Sequence, residues 1–487
     1  NLPICYVEVS VRPTGSNSTF AFGLGLPDQP AWTANNRRFL AVGNGAYIPN
    51  ITYIDLIYGA ARGFATVSTD TGHAEFIGMP NDLTWAEDRD KLVDFATRSL
   101  DFSVDIGKNM TRDYYQAPTL GRSYYMGCST GGRQGLKQVQ NRPEAFDGVL
   151  IGAPAWDHKH YLPWVAKVGS WQVNLTDADR LNKPWQFDLL YNLSISTCDT
   201  TTEPNDPRDS IIMRPEACRP NVDSLLCANG QAPPACLTQS HINIAKMMYA
   251  NYTIDGRVFF PGALLPGSER GWGVFTSDFA INFFDIQYQL HFLNHSDPLN
   301  PPGINWTVYD DRIGLVSERQ DPGNVTADNI AAMASFRSRG GKIIMYHGLA
   351  DAVIPPGSSD DLYRRAQREL TGSGNVTDFF RYFKIPAMEH CVWSQPRNES
   401  PWWLGGANQN PINVREVPDN LLYTRETNAL VALMDWVETP SSQGPSQIVT
   451  SSFTAFPFWQ RPVCLFDRRA QYQGGNVNSS ASWTCPA

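Results

Sequence analysis

The sequence predicts an α/β fold built on a mostly parallel sheet and interrupted by one large insertion. Three observations carry that expectation. Short apolar runs alternate with helical or turn segments as far as about residue 155. From there to about residue 330 the rhythm is lost, and four cysteines, many Pro and Asn residues and aromatic-rich stretches gather. At Asn329 the rhythm resumes. Short buried runs interleaved with helices are what a parallel sheet covered by helices requires.

The elements follow in order. Strand candidates before the insertion are Phe39-Leu40-Ala41-Val42, Phe64-Ala65-Thr66-Val67, Ser123-Tyr124-Tyr125-Met126 and Gly148-Val149-Leu150-Ile151. The first, third and fourth end at glycine, and the second runs on to Ser68-Thr69-Asp70. Between them, Lys91-Leu92-Val93-Asp94-Phe95-Ala96 has the apolar spacing of a helix. The insertion includes Phe279-Ala280-Ile281-Asn282-Phe283-Phe284 and reads as a disulfide-pinned subdomain. A helix through Ile330–Phe336 is broken by Gly340-Gly341, after which Lys342–His347 reads as a strand. Phe379–Phe383 is a second late strand, and Ala429–Val437 is a helix with a strong apolar face. The expected division is a catalytic domain of residues 1–154 and 331–487, with 155–330 inserted.

Composition narrows the function. The chain has 487 residues, of which 12% are aromatic, including 14 Trp; that is ample core material and excludes a disordered chain. The net charge of −9 and the lack of any Lys/Arg-rich run argue against binding nucleic acid or an anionic membrane. No stretch of about 20 apolar residues could span a bilayer. The chain starts Asn1-Leu2-Pro3-Ile4-Cys5, as a processed chain would. Asn-x-Ser/Thr sequons occur at Asn17, Asn50, Asn109, Asn174, Asn192, Asn251, Asn294, Asn305, Asn324, Asn375, Asn398 and Asn478. So many, spread along the chain, suggest a glycosylated, secreted protein. Nine cysteines without a CxxC pair read as an oxidised framework, and the odd number leaves one without an intrachain partner.

Gly127-Cys128-Ser129-Thr130-Gly131-Gly132 fits G-x-S-x-G and lies between a strand candidate and the helix-compatible Arg133–Gln140. That is the setting of a nucleophile elbow: the serine sits on a sharp turn and the helix start offers N–H groups to a developing oxyanion. In such an architecture the acid and then the base follow the nucleophile. Of the eight histidines only His347 and His390 lie in the resumed α/β region, and only His390 follows Asp351. Asp351 falls on the loop after the strand that ends at His347, where a carboxylate can orient an imidazole. Ser129, Asp351 and His390 are therefore the expected triad.

Between Ser129 and Asp351 lie 222 positions, but only 39 separate Asp351 from His390. Most of the longer span must be an excursion, and an insertion over the catalytic face would act as a lid. Cys128 precedes the serine and Cys391 follows the histidine, so a working triad would bring the two cysteines within bridging distance.

Cys128-Ser129, Asp351 and His390-Cys391 resemble the Cys-Ser / Asp / His-Cys signature of the tannase and feruloyl esterase family, secreted α/β-hydrolases chiefly from fungi. Gly43-Asn44-Gly45, Ser68–His73 and Ile151–Ala155 add to the likeness, which covers nearly the whole chain. The resemblance implies an α/β-hydrolase fold with a large lid domain, and hydrolysis of phenolic-acid esters. It implies oxyanion N–H groups from Thr130 and from the loop around Asn44. It also implies local disulfides Cys198–Cys218, Cys227–Cys236 and Cys464–Cys485. Cys5 is then left over; because it lies at a start without Met or signal-type segment, its expected partner is upstream, with a free or intermolecular thiol as the alternative. In this family the lid often carries a structural calcium; the matching positions are Asp199, Asn205, Pro207, Asp209 and Ile211, with Asn205 where the family pattern has Asp.

The expected function is that of a secreted serine carboxylesterase, with no cofactor for its chemistry, acting on hydroxycinnamoyl esters of plant cell-wall polysaccharides or oligosaccharides. Galloyl-ester hydrolysis is the alternative within the family. A catalytically silent carbohydrate- or phenolic-binding protein is the alternative of another class, and no HExxH supports a metallohydrolase.

Overall fold

The computed structural model describes residues 3–73, 82–199, 207–276, 287–294, 303–370, 372, 374–394, 400–409, 423–452 and 459–486. Its strands are β1 (Ile4–Val11), β2 (Phe20–Pro27), β3 (Phe39–Val42), β4 (Ala65–Thr69), β5 (Ser123–Cys128), β6 (Gly148–Gly152), β7 (Tyr252–Ile254), β8 (Arg257–Phe260), β9 (Lys342–Gly348), β10 (Phe380–Ile385), β11 (Gln447–Ser451), β12 (Gln460–Cys464), β13 (Gln471–Tyr472) and β14 (Trp483–Thr484). Eight of them form one sheet in the order β1-β2-β4-β3-β5-β6-β9-β10. From β4 to β10 all neighbours are parallel; β2 pairs antiparallel with β4, and β1 with β2.

The six strands read from sequence are β3, β4, β5, β6, β9 and β10, and all lie in this sheet. Each is buried on both faces, as helices on either side demand. Alternation along β5 shows the two layers. Tyr125 joins Phe39, Val67, Leu100 and Val149 on one face, while Tyr124 and Met126 join Leu40, Leu150, Ile344 and the helix Ala429–Glu438 on the other. The antiparallel pair β1–β2 was not anticipated. β1 nevertheless carries the period of a half-exposed edge strand, with Val7, Val9 and Val11 set against Glu8 and Ser10.

Among the described residues, 155–330 contribute no strand to that sheet. They form the helices His158–Ser170, Pro184–Cys198, Gln239–Met248 and Asp311–Gln320 and the hairpin β7–β8. These enclose a cluster of their own, with Trp164, Phe187, Leu190, Ile242, Met248, Phe260 and Trp272 buried together. The disulfides Cys198–Cys218 and Cys227–Cys236 close loops within this region. The aromatic stretch Phe279–Phe284 lies outside the described residues. After the last long helix come the hairpin β11–β12 and the short pair β13–β14, joined through Cys464–Cys485. Ala470 and Trp483 of this end pack on Ile211 and Met213 of the insertion.

Candidate active site

β5 ends at Cys128 and the helix Thr130–Asn141 starts two residues later, so Ser129 alone makes the turn. Its backbone takes φ 63° and ψ −123°, a conformation that costs a side-chain-bearing residue on the order of 1–3 kcal/mol. Three hydrogen bonds hold it there. The Ser129 N–H donates to the Gly152 carbonyl at 3.0 Å, and the Ser129 carbonyl accepts from the N–H groups of Arg133 and Ala155, both at 3.1 Å. A Cβ at Gly127 would lie 2.6 Å from the carbonyl group of Gly131, so only glycine allows the strand to pass this close to the helix.

Thr130 is the first residue of that helix, where N–H groups have no intrahelical acceptor. Its hydroxyl donates to the Ala46 carbonyl at 2.7 Å and so ties the helix start to the turn after β3. Asn44 occupies the same turn, but its polar groups are all engaged. Its backbone N–H donates to Gln134 Oε1 at 3.0 Å, its carbonyl accepts from Gly131 at 2.7 Å, and its side-chain amide donates to the carbonyls of Thr69 and Asn50. Asn44 therefore builds the turn instead of offering an N–H of its own, a correction to the expectation for this residue. The reason is Gln134, one turn into the helix, which captures both the N–H and, through its own amide, Asn44 Oδ1 at 3.2 Å. Nothing in the sequence marks Gln134 beyond its place after the elbow.

Asp351 and His390 come from the ends of adjacent parallel strands, β9 and β10. A Cβ at Gly348 would sit 2.2 Å from the Met388 carbonyl oxygen and 2.5 Å from that of Glu389, so this glycine lets the two loops meet. His390 Nδ1 donates to Asp351 Oδ2 at 2.7 Å. The other carboxylate oxygen, Oδ1, accepts from the N–H groups of Val353 at 2.8 Å and Ile354 at 2.9 Å. Asp351 is fully buried, and burial alone would raise its pKa. The charge of His390 and hydrogen bonds from His347 and His390 outweigh it and hold the carboxyl well below the usual carboxylate range. His390 is 21% exposed, so its ring reaches toward solvent from a buried anchor.

Cys128 and Cys391 form a disulfide with their Cα atoms 6.0 Å apart. It joins the residue before Ser129 to the residue after His390, across 263 positions of sequence. Of the nine cysteines only Cys5 is a free thiol, and it is exposed.

The stretch compared with a calcium loop sits against the C-terminal hairpins. Asn205 lies outside the described residues. Asp199 Oδ1 is buried with no partner among them, and burial pushes this carboxyl up to about 6 although Ser210 and Arg461 act in the opposite direction. Asp209, however, is already paired. Its Oδ2 receives the Arg461 guanidinium at 2.5 Å, and its Oδ1 accepts the Ile211 N–H at 3.2 Å. The Pro207 carbonyl accepts the Asp209 N–H at 3.0 Å. No cluster of three His, Cys, Asp or Glu suited to a metal occurs among the described residues. The described donors of this loop by themselves fall short of the six to eight oxygens that a calcium needs, and Arg461 supplies positive charge at Asp209.

The family model described as tannase and feruloyl esterase matches residues 5–486. A probable feruloyl esterase B-1 of Aspergillus flavus is 32% identical over 466 residues, covering 93% of this chain and 82% of that protein. A crystal structure of feruloyl esterase B from Aspergillus oryzae superposes with a TM-score of 0.84 at 27% identity, covering all of this chain and 90% of the other. Tannin acyl hydrolase from Aspergillus niger shares the fold, with a TM-score of 0.75 at 20% identity over 100% of this chain and 87% of that one.

Proposed function

The chain belongs to the tannase and feruloyl esterase family of carboxylic ester hydrolases, and from that membership we propose that it is a serine esterase cleaving feruloyl-type esters through an acyl-enzyme. The observation that carries this reading is the disulfide between Cys128 and Cys391, which staples the neighbours of Ser129 and His390 beside the His390–Asp351 hydrogen bond.

With its Nδ1–H given to Asp351, His390 keeps Nε2 as a base. It takes the Ser129 hydroxyl proton as the oxygen attacks the ester carbonyl, and returns that proton to the departing alcohol. Asp351 stabilises the imidazolium between these steps. Water then repeats the sequence on the acyl-enzyme and frees the acid. Oxyanion donors are the N–H of Thr130 and an N–H of the turn that Asn44 braces.

Residues 155–330 serve as the lid, supported by their separate apolar cluster and by the entry of Ala352, next to Asp351, into it. The acyl group is assigned to the hydroxycinnamates because the relatives at 30–32% identity are named as feruloyl esterases, whereas the tannin acyl hydrolase likeness extends to fold alone. The alcohol side is a plant polysaccharide or oligosaccharide. Secretion and N-glycosylation are supported by the four disulfides and by the sequons. Ten of the eleven sequon asparagines among the described residues are exposed.

Replacing Ser129 by Ala is expected to abolish ferulate release from methyl ferulate, and retained turnover would sink the mechanism. Initial rates on the methyl esters of ferulate, caffeate, p-coumarate, sinapate and gallate test the acyl assignment; the fastest rate on gallate would transfer the chain to the tannase activity.

A further inference from the structure

A second imidazole touches the carboxylate that holds His390. His347, near the end of β9 and fully buried, lies with Nε2 3.1 Å from Asp351 Oδ2 and 2.9 Å from the Ile354 carbonyl oxygen. Both neighbours are acceptors, so Nε2 carries the proton and divides it between them. On the other side of the ring, Nδ1 accepts from the Ser359 hydroxyl at 2.7 Å, in the first turns of the helix Pro356–Glu369. Asp351 thus receives four donors: Val353 and Ile354 N–H on Oδ1, and His347 and His390 on Oδ2. Three of the four lie within four residues of Asp351 in sequence. Only His390 reaches it from another strand.

We propose that His347 is a positioning residue for Asp351: locked in its Nε2–H tautomer by Ser359 and Ile354, it fixes the rotation of the carboxylate so that Oδ2 points at His390. This rests on the reading of Ser129, Asp351 and His390 as the reacting groups. Without the His347 proton, Oδ2 keeps only the His390 donor, and on that side the carboxylate is held against rotation by His390 alone. The oxygen also becomes a stronger acceptor for His390, which favours the imidazolium and disfavours the base that Ser129 needs.

Other charges near His347 are committed elsewhere. Lys384, its register partner on β10, pairs with Asp360 at 2.9 Å and Glu216 at 3.3 Å. Tyr161, from the helix His158–Ser170, donates to the Val353 carbonyl at 3.1 Å. Asp360, beside Ser359, receives Lys384 and the Tyr382 hydroxyl. The groups that face the ring are therefore Asp351, with His390 beyond it, and Ser359.

The test uses the full chain and methyl ferulate, with kcat, KM and the pH profile measured together with the melting temperature. His347→Met fills the space without a donor and is expected to lower kcat between about tenfold and a hundredfold, with KM little changed. The acid limb of the profile should move up by about half to one pH unit. His347→Gln, whose amide places an N–H near the former Nε2, should recover most of both. Ser359→Ala, which loosens the tautomer while leaving the ring, should shift kcat and the limb in the same direction, by about a few-fold and about a few tenths of a pH unit respectively. A wild-type profile in His347→Met, or His347→Gln as impaired as Met, overturns the proposal. If His347→Met does not fold, an unchanged profile in Ser359→Ala overturns it. Retained activity in Ser129→Ala would overturn the reading of the site itself, whereas loss there with flat His347 variants refutes only the role of His347.

Discussion

Two buried aspartates show how local donors decide the fate of a charge. Asp351 is held ionised by two backbone N–H groups and two imidazoles. Asp70, just after β4, is also buried, though less deeply, and poorly compensated. Burial raises its pKa to about 6, the charges of Asp94 and Glu8 push the same way, and the N–H groups of Gly72 and Ala21 do not offset them. A carboxyl raised above its unfolded value binds its proton more tightly in the folded state. Its ionisation therefore destabilises the fold, and this loss sets in as pH rises from the unfolded value of about 3.9 through the folded one near 6. Asp70→Asn, whose carbonyl still accepts from Gly72, should add up to about 2–3 kcal/mol of stability at neutral pH. The gain should vanish in acid, below the unfolded pKa. Denaturant melts at the two pH values check this, and equal stability of the two proteins at neutral pH would refute it. At this scale the sequence was informative where chemistry restricts residue type. Ser129, Asp351 and His390 stood out by motif and chain order; His347 stood out only as the end of the strand before Asp351, and its contact with the carboxylate, like that of Gln134 with Asn44, depends on which atoms face each other.

At the scale of elements, the strained turn at Ser129 persists because a strand and a helix on either side, each packed in the core, over-determine it. The C-terminal hairpins illustrate a second kind of fixing. Arg461 on β12 is nearly buried, lies over Trp483 at 3.9 Å and pairs with Asp209 of the insertion. Removing one partner of a buried ion pair costs about 3–5 kcal/mol, so Arg461→Met should lower the melting temperature markedly. A calcium chelator should leave it unchanged, because Arg461 neutralises Asp209 without a metal. A large melting shift on chelation, restored by added calcium, would contradict the donor set described for this loop. Six sheet strands were legible as continuous apolar runs, since strands buried on both faces cannot alternate. The antiparallel edge β1–β2 was missed. So was the docking of the hairpins on the insertion, because an Arg461–Asp209 pair 252 residues apart leaves no local pattern.

For the whole molecule, the long interval between Ser129 and Asp351 already implied an excursion, and the structure places there helices and a hairpin with their own apolar centre. Exposed sequons on both the sheet domain and the insertion lead to a further expectation. Chain secreted from a eukaryotic host should lose mass on treatment with an N-glycan-releasing enzyme while keeping its activity on methyl ferulate; an unchanged mass would count against glycosylation. The sequence by itself determined the class of fold and pointed to the residue types and order of the proposed triad, because periodicity and motif spacing are local properties of the chain. Tertiary structure decided which partner each polar group meets. Asn44 N–H goes to Gln134, Asp209 to Arg461, and the second oxygen of Asp351 to two rings instead of one. The physical reason is that a hydrogen bond is settled within tenths of an ångström between groups distant in sequence, a precision that only the packed chain possesses.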